Sequence, residues 1–165
     1  MKAILDASPI IAFFAEMREP EILFLLQRVG YDLVVPIAVS RHDIVREPSR
    51  TILAKSVASG SVSLLPPVAP DMLATFMNSH PSLGEGESEV ILHAVEYLSK
   101  GEEAVCIIDE KPARRVAADL GLHVKGTLGV LRTLQDSGLI GQEDLARLKR
   151  SLKASGFRAD ASLLR

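Results

Sequence analysis

The sequence predicts an α/β protein, a three-layer α/β/α sandwich built around a central parallel sheet. Short apolar runs (KAIL, DLVV, SVSLL, AVCII, LHV) alternate along the chain with longer stretches of helical text. Strands separated in this way by helices pair in parallel and carry helices on both faces. The 165 residues are 47% hydrophobic and 24% charged, enough for one domain with a sizeable core and unlike a disordered chain.

The elements follow in order. KAILD at 2–6 is a strand ending at an acid, and a Ser-Pro turn leads into helical text from Pro9 to about Glu16. Pro20 suits the first turn of a second helix, EILFLLQRVG, which Gly30 closes. DLVVP at 32–36 reads as a buried strand, with Pro36 opening a helix through about Val45. Pro48 starts the next helix, which runs to Ser59-Gly60. SVSLL at 61–65 is a strand stopped by Pro66-Pro67, and a short helix spans Asp71 to Asn78. HPSLGEGE is a loop delivering the chain into a helix over 86–99. AVCIID at 104–109 is the clearest strand; Lys111-Pro112 open a helix over 112–120, capped by Gly121, and LHVKG is the last strand. Helices over 127–136 and 141–154, then a short tail, complete one domain over 1–165, with everything from about 127 packed on the same body.

Several classes are excluded. No apolar run approaches the roughly 20 residues of a membrane helix, and Asp6 and Pro9 interrupt the apolar start that a signal peptide needs. A soluble, cytoplasmic protein is expected. The lone Cys106 rules out an internal disulfide framework and a cysteine zinc cluster. In the middle of an apolar strand it reads as a small buried hydrophobe. No Ser-His-Asp elbow, P-loop or Gly-x-Gly-x-x-Gly is present; LGEGES lacks the Gly-Lys-Ser/Thr that grips phosphate. Five Phe, two Tyr and no Trp give no stacking platform for single-stranded nucleic acid. Phe13, Phe14 and Phe24 belong to the core, and the Leu145, Leu148, Leu152 stripe suits packing within the chain or a dimer contact. Net charge is −2, but residues 1–110 hold 8 Lys/Arg against 16 Asp/Glu, and residues 111–165 hold 11 against 5. That asymmetry fits two solvated faces, or an acidic cation site beside a surface for a polyanion.

In parallel α/β sheets ligands bind outside the carboxyl ends of the strands. Asp6 ends the first strand and Asp109 the fourth, so both are expected on that edge. In helix 86–99, three-and-four spacing puts Glu87, Ile91, Ala94 and Leu98 on one face. Glu89, His93, Glu96 and Lys100 fall on another, with Glu96–Lys100 a solvent-side pair. Each acid alone has an ordinary explanation: Asp6 and Asp109 as helix caps or Asx turns, Glu87 as a capping carboxylate in GEGE. Together on one edge they repel, and need protons, basic partners or a divalent cation. An all-oxygen set favours Mg²⁺ or Mn²⁺ over zinc. Lys111, Arg114 and Arg115 follow Asp109, either as a solvated helix face or as phosphate contacts. Gly126-Thr127 and Gly129 mark a tight strand-to-helix turn, with Thr127 a possible N-cap.

LDASPII at 5–11, LGEGESEVILHA at 83–94, CIIDEKPARRVAADLGLHVKGTLGVL at 106–131 and the terminal L…GFRAD…LL resemble PIN-domain proteins, in the compact prokaryotic branch similar to VapC-type toxins. The resemblance implies a PIN-like sandwich and an Mg²⁺- or Mn²⁺-dependent ribonuclease, the toxin of a toxin–antitoxin pair, acting on RNA as a homodimer and blocked by an antitoxin. Asp6, Glu87 and Asp109 match the family's acids. Ser8 matches a small hydroxyl that helps hold the site, and Glu110 stands where the branch often has a second metal-binding Asp. Lys111, Arg114 and Arg115 would contact substrate phosphate. The chain departs from the pattern V-P-x-x-V-x-x-E: in VPIAVSRHD, His42 occupies the glutamate position. Three alternatives follow: Asp43 substitutes if the helix rotates, His42 serves as a nitrogen ligand, or the site is depleted and the protein binds or regulates without useful catalysis. Asp43 is the favoured fourth acid.

Overall fold

Apolar segments of three to five residues are too short to bury a helix face, and here they become the strands. A computed structural model describes residues 1–156; GFRAD…LL lies outside the described residues from 157 onward. β1 (Lys2–Leu5), β2 (Asp32–Pro36), β3 (Ser63–Leu65), β4 (Ala104–Ile107) and β5 (His123–Lys125) form one all-parallel sheet in the order β3-β2-β1-β4-β5. Ile4 pairs with Val34 on one side and Cys106 on the other. β1 is central, and Ala3, Ile4 and Leu5 are fully buried, as a parallel strand covered on both faces must be.

From β1 the chain steps outward through β2 to β3, then returns past β1 to β4 and β5. Right-handed crossovers put α1 (Ala7–Ile11), α2 (Pro20–Phe24) and α3 (Ser49–Ala58) on one face. They put α4 (Pro70–Ser79), α5 (Glu85–Ser99) and α6 (Lys111–Asp119) on the other, which makes the three layers. α7 (Thr127–Asp136) and α8 (Gln142–Ala154) pack against the turns that follow α1 and α2. Leu148 and Leu152 are fully buried there with Phe13 and Phe14, and Arg147 forms a two-pronged ion pair with Glu19. The strand order reverses between β1 and β4, which opens a crevice at their carboxyl ends.

Two irregularities were not expected. α1 continues as a π-helical turn, Ala12–Glu16, and the helix after β2 starts at Ile37, with Pro36 still in the strand, then widens into a second π-helical turn, Val39–Asp43. A π turn fits one extra residue per turn and so advances the next side chain to a new face. Each of these turns ends on an acid, Glu16 and Asp43.

The face assignment of α5 needs correction. Leu98, expected inward, is exposed, whereas Glu89 and His93, expected with the solvent-side pair, are buried. The loops after β2 and β3 fold over this flank. Glu89 accepts the backbone N–H groups of Ala38 (3.3 Å) and Val68 (3.1 Å), and His93 Nε2 meets the Pro66 carbonyl at 3.0 Å. Glu96 and Lys100 do pair at the surface.

Among the described residues one buried side-chain polar atom lacks a partner, Ser49 Oγ in the first turn of α3. A desolvated hydroxyl without a hydrogen bond costs about 1–3 kcal/mol, and alanine is the better helix former. Ser49→Ala is therefore expected to raise stability by about 1 kcal/mol in denaturant titration; a loss of stability would mean the hydroxyl is satisfied in solution.

Candidate active site

Asp6 leaves β1 in extended conformation, and its backbone N–H still donates to Ile107 of β4 (3.1 Å). Asp6 lies at the crevice and is only 3% exposed. Although Asp6 occupies the N-cap position of α1, its side chain makes no capping hydrogen bond, so the cap explanation does not account for it. Burial pushes its pKa well above the usual carboxylate range, and Glu110, Glu87 and Asp43 push it further; the N–H of Ala7 opposes them.

Asp109 lies two residues beyond β4 and takes two hydrogen bonds from Thr127, one from the backbone N–H (2.8 Å) and one from the hydroxyl (2.6 Å). It thus caps α7 across the sheet edge, satisfying a donor that the first helical turn leaves free. Thr127 is the first residue of α7, not its N-cap; Gly126 takes that place. A Cβ on Gly126 would stand 2.7 Å from Asp109 Oδ1 and 2.9 Å from Arg114 Nη1, so the tight turn predicted there leaves the space that both side chains use. Burial raises the Asp109 pKa and Glu110 adds to it, while the Thr127 bonds and Arg114 pull it down.

Glu87 is half-buried in the first turn of α5, and its Oε2 accepts the Gly84 N–H at 2.8 Å. The capping explanation is thus realised, yet the same carboxylate faces the crevice. Its pKa is raised by burial and by Glu110 and Asp43, against the Gly84 bond. Asp43 comes in from the π turn and lies against the start of α5: a Cβ on Gly86 would fall 2.2 Å from Asp43 Oδ2. Its pKa is raised by burial first, then by Glu85 and Glu110, with His42 opposing. His42 is turned outward, 3.4 Å from Glu85, and both are exposed. Between the two residues left open by the sequence, the crevice receives Asp43.

Glu110 acts on the charge of all four acids and accepts a hydrogen bond from Ser8, so Ser8 bears on the site through Glu110. Sequence reading missed Glu16, which ends the first π turn. Its pKa is raised by burial and by Asp109, with a Ser155 hydroxyl bond (3.3 Å) opposing. Nothing in helical periodicity marks Glu16, because the π turn itself sets where it points. Cys106 is buried, and burial lifts its thiol pKa to about 12, so it is no nucleophile. His80 rests against Phe76, ring centroids 4.6 Å apart.

The donor set suits a hard divalent cation: every member is a carboxylate oxygen, and burial together with the charge of Glu110 holds Asp6, Asp43, Glu87 and Asp109 above their ordinary pKa values. Among the described residues no three Asp, Glu, His or Cys side chains are placed to hold one ion; Glu87, Asp109 and Glu110 accept hydrogen bonds from Gly84, Thr127 and Ser8.

A parallel α/β sandwich with acids at its topological switch point places its candidate site where such folds bind ligands. The match to known families is specific: residues 2–165 match the PIN-domain family DUF3368, and the chain belongs to it. PIN domains are a nuclease fold. Among solved structures, a PilT N-terminus domain protein from the hyperthermophilic archaeon Sulfolobus solfataricus P2 is similar at 17% identity, over 81% of this chain and 92% of that one, with a TM-score of 0.42. No curated protein matches. Among the described residues no helix is long and apolar enough to cross a membrane.

Proposed function

We propose that this chain is a divalent-metal-dependent endoribonuclease that hydrolyses RNA phosphodiesters. The carrying observation is that Asp6, Asp43 and Glu87, from three separate segments, lie close enough to act on one another's charge, that Glu110 acts on all three and on Asp109, and that Arg114 stands beside Asp109 at the carboxyl edge of β1 and β4. Asp6, Asp43, Glu87 and Asp109, with Glu110 adjacent, would hold Mg²⁺ or Mn²⁺. Such an ion supplies Lewis-acid polarisation of phosphoryl oxygens and activation of water. Thr127 keeps the Asp109 carboxylate aimed, Ser8 restrains Glu110, and Lys111, Arg114 and Arg115 present positive charge where a phosphate would otherwise be repelled by the acids. The resemblance of LDASPII, LGEGESEVILHA and the segment from Cys106 to Leu131 supports the finer reading: a cytoplasmic toxin of a toxin–antitoxin pair, acting as a homodimer, whose antitoxin covers the acidic crevice.

The test is cleavage of a mixed structured RNA pool by purified protein with Mn²⁺, Mg²⁺ or EDTA, beside Asp109→Asn prepared identically. Metal-dependent cleavage, reduced about 100-fold or more in the variant, is expected. One observation favours a second reading, a PIN-fold binding protein with a depleted site: the placed carboxylates do not converge as a ready cation cage. Folded protein that cuts nothing in either metal would select that reading.

A further inference from the structure

The turn that delivers Asp43 also builds a notch of about 300 Å³, lined by Ser40, Arg41, Ile44, Val45 and Arg50. Arg41 and Arg50 are both exposed, and among the described residues neither guanidinium has a carboxylate partner. This is unusual in a segment holding Asp43, Glu47 and Glu85 close by. Those carboxylates are occupied elsewhere: Asp43 against α5, Glu85 with His42, and Glu47 accepting the Thr51 N–H (3.2 Å) at the start of α3. Two forked donors thus face an open notch with nothing to bind, and Arg46 adds a third exposed cation in the same connection.

We propose that this notch is a second phosphate subsite, which takes the backbone of the substrate strand on the Asp43 side of the crevice. The inference rests on the nuclease reading and adds a direction to it. Ile44 and Val45, the residues that follow Asp43, form part of the notch wall, so a phosphate seated there is a near neighbour of the one at the acids. Arg114 stands beside Asp109 on the α6 side, and Arg41 and Arg50 line the notch that follows Asp43. A strand held at both ends lies across the carboxylates, and its own negative charge is compensated on each side of them. Guanidinium forks match phosphate oxygens in pairs, and the apolar Ile44 and Val45 lining favours the sugar over further charge.

The experiment compares wild type with Arg41→Ala, Arg50→Ala, the double alanine variant and the double lysine variant. Binding of a labelled 12-nucleotide RNA is followed by fluorescence anisotropy in EDTA across a salt series. Each lost phosphate contact should lower the slope of log K against log salt by about 0.7, which at 0.1 M salt is about 5-fold in affinity, or about 25-fold for the pair. Lysines should restore much of this. In Mn²⁺, KM for the 12-mer should rise while cleavage of a dinucleotide, too short to reach the notch, stays unchanged. If wild type binds and cuts and the double alanine variant matches it, the subsite is wrong and the nuclease reading stands. Polyglutamate that displaces the RNA from wild type as well as an oligonucleotide of equal charge also overturns it, in favour of an acidic protein partner. A wild type that neither binds nor cuts removes both readings.

Discussion

Asp6→Asn is expected to abolish cleavage and, without metal, to make the protein more stable at neutral pH. The activity loss, about 100-fold or more, follows from removing the most buried of the crevice carboxylates. The gain in stability follows from linkage. Burial and then Glu110, Glu87 and Asp43 raise the Asp6 pKa in the folded protein, so the folded state binds this proton more tightly than the unfolded chain does. The stability this contributes is fully present below the unfolded aspartate pKa, about 3.9, and is lost as pH rises through the folded value. Asparagine stays neutral and can still accept the Ala7 N–H, so it escapes the loss. Thermal melts from pH 4 to 8 should show the variant above wild type at pH 7, by about 2–4 °C for each kcal/mol recovered, with the gap closing towards pH 4. Asp43, Glu87, Asp109 and Glu16 are shifted in the same direction and should give wild type the same downward trend. Mn²⁺ should reverse the order, because a ligand at 100 times its Kd adds about 2.7 kcal/mol to the form that binds it. A variant less stable than wild type at pH 7 in EDTA would refute the account of Asp6 as an uncompensated buried charge.

Gly86→Ala is expected to silence the enzyme while barely touching its fold. The new methyl group would overlap Asp43 Oδ2 at 2.2 Å and press on Val39 Cγ2 at 3.0 Å. The Asp43 carboxylate is the free end of an exposed side chain and can swing out cheaply, and replacing a helical glycine recovers about 1 kcal/mol, which offsets the crowding of Val39. The melting temperature should therefore move by no more than about 4 °C, while activity falls about 100-fold, as in Asp43→Asn. His42→Ala, which loses only an exposed contact with Glu85, should remain near wild type. The opposite pattern, an active Gly86→Ala and a dead His42→Ala, would return the fourth position to His42.

Most of the strand and helix order is legible from composition and punctuation, because prolines and glycines sit at the boundaries. Gly30, for example, adopts φ 88° after the helix it was expected to close. Asp6 and Asp109 were legible as well, since strand-end position is a local property and a parallel sheet puts all such ends on one edge. Their roles in hydrogen bonding were not. Asp6 makes no side-chain capping bond in its own helix, and Asp109 caps a helix that starts 18 residues later.

What needed the tertiary structure lies where a helix departs from 3.6 residues per turn or is covered by a distant loop. Periodicity put Glu89 and His93 on the face of the solvent-side pair Glu96–Lys100; the connections after β2 and β3 close over them and use them as acceptors for Ala38 and Val68 and as a partner for Pro66. Periodicity also could not choose between His42 and Asp43, because the answer depends on one extra residue accommodated in the turn Val39–Asp43. The sequence by itself determined the class of fold and the edge on which Asp6 and Asp109 lie, both consequences of local pattern and strand polarity. Only the packed structure placed Asp43 against Gly86 with His42 turned outward, added Glu16, and set Gly86 and Gly126 where a Cβ would crowd a carboxylate, because those depend on which backbone stands within van der Waals reach of a carboxylate, and no spacing along one chain encodes that distance.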